Sequence, residues 1–481
     1  MNTYTSRVLV VGTGAGGAVA AALLAQAGLD VVILEQGRSY EPEDHADVIT
    51  SFTRMYVNGG VTLALGNPPI PIPLGKAVGG STVINSSTCF RPSREKVEAW
   101  DCLDWDLFQT SLVSVEERIH AVPADESLLG GNYTVLKRGC DALGVPIKPL
   151  VHNLDGCKKS GRCAFGCPTG AKQSMDRTYI PDAVAAGARL YAEHKVTGVL
   201  DAGEKLTGVT GISPDGPFEA RADVIVLAMG ALATPAFLLR HRLANSSGLV
   251  GRGLRIHPAS RVAAEFDEIV DGDQGLPQGA YIDHWRERGI MLEGISLPPG
   301  PLLSGLPGAG FAFKELAARR RNIATFGVMV SDTGAGRVRR GFAGAPFTAL
   351  YQLTQEDAEN LRFAMVRLGE LYFAAGAKRL FTNVAPMPVI ASEAELREFE
   401  RIPVKPGYFE LMAFHPTGTC PMSVQPRNGV VNSFLRTYDL TNVYIMDGAV
   451  IPDALGVNPQ LTIMGLAHRA ATLLAERLQG A

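Results

Sequence analysis

The sequence predicts an α/β protein of more than one domain, led by a β-α-β unit that binds a dinucleotide. Three observations carry this. The chain has 481 residues, too long for one ordinary core. Its amino terminus alternates apolar runs of strand length with a run of helix length. Between them stand Gly12, Gly14 and Gly17 in G-x-G-x-x-G spacing.

The unit reads RVLVVGTGAGGAVAAALLAQAGLDVVILEQG over residues 7–37. Residues 8–11 are β-rich and suit a buried strand, the alanine- and leucine-rich stretch 18–27 a helix, and 31–34 the next strand. The three glycines allow a tight turn, close approach of backbone to a pyrophosphate, and close helix-strand packing, with the anion over the helix N-terminus. Glu35 ends the second strand, where a carboxylate accepts hydrogen bonds from the adenosine ribose hydroxyls. NAD(P) and FAD share this fingerprint, so it names the ligand class only.

Composition narrows the partners. An apolar fraction of 46% with 19% charged residues is that of a globular chain, and a formal net charge of −3 offers no attraction to nucleic acid. Small molecules are the expected partners. Residues 8–29 and 55–75 are uncharged, but the first run holds five glycines and the second four prolines, so no membrane span is expected. Only MNTYTS precedes Arg7, which leaves little room for a signal sequence, and cytoplasmic location is the default expectation. Seven irregularly spaced cysteines fit a reducing compartment better than a disulfide framework.

Four further stretches complete the pattern. GKAVGGSTVINSSTCFRPS (75–93) places Gly79, Gly80, Ser81 and Asn85 in a small-residue turn with unhindered backbone donors. ADVIVLAMGALATPAFLLRH (222–241) is an apolar strand, a glycine turn and a helix expected to start with Thr234 as cap and Pro235 as its first residue. AFHPTGTCPM (413–422) sets His415 in a loop of small residues. The last stretch, 444–478, holds a strand ending at Asp447-Gly448 and a long helix for which Asn458 and Pro459 suit the cap and first position. Each has an ordinary structural explanation when taken alone.

Together, in this order and over nearly the whole length, the five elements resemble the glucose-methanol-choline (GMC) family of FAD-dependent oxidoreductases. The resemblance implies an FAD-binding Rossmann-like domain from residues 1–98, 155–260 and 436–481. A substrate domain of the α+β type, built on an antiparallel sheet, would come from 99–154 and 261–435. Gly12, Gly14, Gly17 and Glu35 would hold the ADP half of FAD, with Val196 meeting the adenine through its backbone. Gly79, Gly80, Ser81 and Asn85 would lie along pyrophosphate and flavin, and Asp447 and Gly448 near the ribityl chain.

His415 matches the family's active-site base and Asn458 its partner, a His/Asn pairing most similar to the cholesterol oxidase branch. The implied reaction is oxidation of an alcohol to a carbonyl. Neutral imidazole takes the hydroxyl proton, hydride passes to flavin N5, and Asn458 hydrogen-bonds the substrate oxygen. Some members attach FAD through a histidine just before the asparagine of the GGST stretch; here that residue is Ile84, so non-covalent FAD is expected. The fold also serves hydroxynitrile lyases, and a flavin-binding partner protein without turnover is a further alternative.

Two features stand outside this scheme. Cys157, Cys163 and Cys167-Pro168 form C-x5-C-x3-C-P, a spacing similar to the cysteine segment of cluster-bearing GMC sugar dehydrogenases. An iron-sulfur cluster there would relay electrons to a redox partner; without one, oxygen or a soluble acceptor would reoxidise the flavin. Buried structural thiols are the other reading. His257, in LRIHPAS, is expected to be a satisfied structural histidine, with a place beside the site as the alternative.

Overall fold

The computed structural model describes residues 1–45, 47–342 and 345–480. The strand Asn2–Val11 is exposed on alternate residues in its first half and wholly buried in its last four, where VLVV meets neighbours on both sides. It pairs in parallel with Val31–Leu34 and with Gly216–Leu227, and the latter pairs in parallel with Val443–Ile445. Arg189–Tyr191 adds to one edge; Leu206–Ser213 and Lys195–Ala202 extend the other as an antiparallel meander, giving a seven-stranded sheet.

Parallel pairing sends the carboxyl ends of the central strands to one edge. Gly12, Glu35, Ala228 and Met446 each follow directly on such an end. A ligand crevice is expected at that edge of an open α/β sheet.

The helix Ala15–Gln26 crosses the sheet as the glycine spacing predicts. Its small residues are needed for contact: a Cβ on Gly16 would stand 2.0 Å from the Met446 carbonyl oxygen, and one on Gly17 2.1 Å from that of Gly12. Gly12 itself has φ +104°, in the region that favours glycine.

The second domain has the expected antiparallel sheet. Its seven strands run Val389–Ile390, Arg379–Phe381, Ala259–Glu265, Ile323–Val330, Ile290–Gly294, Ala280–Ile282 and Lys148–Pro149, every neighbour antiparallel. The helix Gln355–Ala374 covers it, and the two domains have separate hydrophobic cores. A five-stranded sheet joins Arg252–Leu254, Gly336–Arg340 and Phe347–Leu350 to Leu63–Leu65 and Ile70–Pro71. Residues 63–71 thus pair with strands of the substrate-side segment.

Two helix starts differ from the sequence pattern. The helix Ala233–His241 is capped at Leu232 without a side-chain bond, because Thr234 Oγ1 donates instead to Asp447 Oδ2 at 2.6 Å. The final helix, Gln460–Gln479, begins after Pro459, and Asn458 turns its amide away from the helix. In both cases a tertiary polar partner outcompetes the local cap.

Candidate active site

A cavity of about 670 Å³ opens along the carboxyl edge of the first sheet and ends against the second. Its wall includes Gly12, Gly14, Glu35, Gly80, Ser81, Asn85, Val196, His415, Asp447, Gly448 and Asn458. Gly17 and Gly79 stand behind the wall, where they serve packing: a Cβ on Gly79 would meet Val83 at 2.7 Å.

At one end the polar groups suit an ADP moiety. Gly14 precedes the helix Ala15–Gln26 with no side-chain cap, and a Cβ built on it meets nothing within 4 Å. The start of that helix, Gly14 to Gly16, lines the cavity without a side-chain cap, which suits a pyrophosphate. Glu35 is fixed beside it: Oε2 accepts from Thr13 N–H at 3.0 Å and Thr13 Oγ1 at 2.7 Å, and Oε1 from Gly37 N–H at 2.8 Å. Burial pushes the Glu35 carboxyl up, and these three donors work against that rise. Thr13 Oγ1 also accepts from Gly79 N–H at 2.9 Å, tying the fingerprint to the GGST turn.

The GGST turn is held from below and behind. Asn85 Nδ2 donates to Gln460 Oε1 at 2.7 Å, and Ser81 Oγ accepts from Gly75 N–H at 3.0 Å. Asp447 accepts from Gly230 N–H, Thr234 Oγ1 and Ala449 N–H, which fixes the start of the last crossover. Ile84 is buried among apolar neighbours.

At the far end His415 and Asn458 meet. Asn458 Nδ2 lies 3.2 Å from His415 Nε2, although 43 residues separate them. His415 is half-buried, and desolvation at the cavity wall pushes its imidazole down to about 4, so it is neutral over the ordinary range. Two residues absent from the sequence-level site list complete the group. His257 Nδ1 stands 3.2 Å from His415 Nδ1, so the histidine expected to be structural is beside the site. Glu293, inside the strand Ile290–Gly294, has Oε2 at 3.5 Å from Asn458 Nδ2 and at 2.9 Å from Gln278 Nε2.

Burial holds the Glu293 carboxyl up to about 7, with the Asn458 amide pulling the other way. The one sequence signal for Glu293 is an acid within the apolar strand run IMLEG, which exposes no residue.

Nothing in the structure supports the iron-sulfur site suggested by the three cysteines. Among the described residues no three His, Cys, Asp or Glu side chains are placed to hold a metal ion. Each thiol is engaged locally: Cys157 Sγ accepts from Lys159 N–H, Cys167 Sγ lies 3.4 Å from Thr169 Oγ1, and Cys163 is buried, its thiol pushed up to about 11 by burial. Instead the loop is pinned by Lys172, a fully buried lysine that donates to the carbonyls of Val83, Asn85 and Cys163 at 2.6, 2.9 and 2.8 Å.

Comparison with known proteins identifies the family and the fold. Family models described as GMC oxidoreductase match residues 52–259 and 336–467, and a model of the NAD(P)-binding Rossmann-like domain matches 10–40. An uncharacterized GMC-type oxidoreductase of Mycobacterium tuberculosis is 35% identical over 98% of this chain and 76% of its own. A long-chain-alcohol oxidase of Arabidopsis thaliana is 27% identical over 96% of this chain and 67% of its own. A cholesterol oxidase of Acinetobacter baumannii is 25% identical over 98% and 95%.

Among solved structures, pyridoxine 4-oxidase from Mesorbium loti superposes with TM-score 0.73 at 16% identity, covering 97% of this chain and 99% of its own. Formate oxidase of Aspergillus oryzae, whose FAD undergoes modification, superposes with TM-score 0.75 at 15% identity over the whole of both chains. These two likenesses concern the fold. The glycine fingerprint on a Rossmann-like sheet, the antiparallel second domain, both family models and the full-length relatives converge: the chain belongs to the GMC oxidoreductase family.

Proposed function

We propose that this protein oxidises an alcohol to a carbonyl compound with non-covalent FAD, using His415 and Asn458 as the catalytic pair. The observation that carries the reading is their meeting at 3.2 Å on the wall of a cavity whose other end suits an ADP moiety. Gly12, Gly14, Glu35 and Val196 would hold the ADP half; Gly80, Ser81, Asn85, Asp447 and Gly448 would line the flavin half. Buried Ile84 supplies no nucleophile for a covalent link. When bound, FAD supplies the hydride acceptor.

The chain's own residues supply the rest. His415 Nε2 and the Asn458 amide together form a polar grip for one oxygen atom, and His415 is the general base for the hydroxyl proton. Desolvation keeps His415 neutral, and the neutral tautomer with its lone pair on Nε2 is the form that acts as the base. The cavity wall on the second-domain side carries apolar Pro277, Ile295 and Leu297 with Phe414, interrupted by Gln278 and Ser296. An alcohol carried on an apolar body is the substrate class this favours. The oxidase names of the alcohol-oxidising relatives support oxygen as electron acceptor, in place of a redox partner.

The test is anaerobic bleaching of the flavin by a series of aliphatic and cyclic alcohols. A His415→Ala variant should keep its flavin and lose about 10²- to 10⁴-fold in reduction rate, the usual share of a general base. Full-rate bleaching in that variant would overturn the assignment.

A further inference from the structure

His257 is wired into the catalytic pair by contacts that its own sequence context does not announce. It is fully buried and holds φ +51°, a left-handed backbone that a non-glycine residue adopts at a cost. Asp332 clamps this turn: its two carboxylate oxygens accept from Ile256 N–H and His257 N–H, both at 2.7 Å. The strained backbone places the ring with Nε2 at 3.1 Å from Gly456 N–H and Nδ1 at 3.2 Å from His415 Nδ1.

The order of these contacts determines where the protons lie. A backbone N–H only donates, so His257 Nε2 is the accepting nitrogen. A neutral imidazole carries one proton, which must then sit on His257 Nδ1 and point at His415 Nδ1. His415 Nδ1 accepts it, and the His415 proton is left on Nε2, facing Asn458. Desolvation favours the neutral ring for both histidines, and at His257 the Lys96 and Arg255 charges act in the same direction. With a half-turn of its amide, which also turns Nδ2 away from Glu293 Oε2, Asn458 presents Oδ1, otherwise buried without a partner, to that N–H.

We propose that His257 is a positioning residue that selects the Nε2–H tautomer of His415 in the resting enzyme. The inference rests on the alcohol-oxidation reading and deepens it. The tautomer able to take a hydroxyl proton has its lone pair on Nε2, and reaching it sets His257 Nε2–H against Gly456 N–H. His257 therefore meters the base-competent form of His415, and a bound alcohol donating to Nε2 shifts the pair towards it.

The test is nitrogen NMR of the flavin-loaded protein labelled with [15N]histidine, with the His415 signals assigned from a His415→Phe variant. In the wild type the Nε2 of His415 should give the protonated signal and Nδ1 the lone-pair signal. His257→Phe keeps a ring but cannot donate, and should move His415 to a mixture or to Nδ1–H. His257→Asn places an amide N–H where Nδ1 was, and should restore the wild-type pattern. A wild-type His415 protonated on Nδ1 overturns the proposal, as does a tautomer unchanged in His257→Phe. If His257→Phe fails to retain flavin, the wild type and His257→Asn decide alone. Failure of every alcohol to bleach the flavin would sink the alcohol-oxidation reading and leave the tautomer result standing.

Discussion

Glu293→Gln should stabilise the protein at alkaline pH and much less in acid. Glu293 is fully buried, and its carboxyl is raised from an ordinary 4.5 to about 7. An acid raised in the folded state binds its proton more tightly there than in the unfolded chain. Stability from that proton is present at low pH and lost as pH rises from 4.5 through 7. At 1.36 kcal/mol per pH unit, the difference between 4.5 and 7 amounts to about 3 kcal/mol at pH 8, and to less than about 1 kcal/mol at pH 5. Glutamine keeps an oxygen for the Gln278 amide and carries no charge to desolvate. Denaturant unfolding of wild type and variant at both pH values, at one fixed FAD concentration, measures the change. The part of the difference that grows between pH 5 and pH 8 should be about 2 to 3 kcal/mol. A difference independent of pH would refute the claim that Glu293 is held near neutrality by burial.

Two further outcomes follow from packing. Gly12→Ala sets a Cβ 2.3 Å from the Ala228 carbonyl oxygen at φ +104°, so the variant should lose about 1 to 3 kcal/mol and release flavin, read by unfolding and by flavin content after gel filtration. Lys172→Met leaves the Val83, Asn85 and Cys163 carbonyls without their common donor, and should cost at least about 2 kcal/mol in the same unfolding assay; an unchanged midpoint would show that the lysine does not hold this loop.

Chemistry carried by local spacing was legible in the sequence. Gly12, Gly14 and Glu35 work within one β-α-β unit, where glycine spacing and strand length decide which backbone groups face a ligand, and all three line the cavity. The antiparallel second domain followed from the order of the family's elements. The helix starts at Thr234 and Asn458 were misplaced because capping propensity is worth about 1 kcal/mol, which a tertiary partner such as Asp447 or His415 readily outweighs. The thiol spacing from Cys157 to Cys167 left a cluster and structural thiols both open because spacing carries no direction; in the fold Cys163 is buried and its carbonyl accepts from Lys172.

By itself the sequence determined the family and the dinucleotide fingerprint, and its resemblance to that family singled out His415 and Asn458, since each depends on residue type and order along the chain. Only the tertiary structure decided what surrounds that pair. His257, in the turn between Arg252–Leu254 and Ala259–Glu265, reaches His415 across 158 positions, and Glu293, in a strand of the second domain, reaches Asn458 across 165; no local pattern connects either residue to its partner. Desolvation there raises one carboxyl and lowers two imidazoles, and it is a property of the assembled fold.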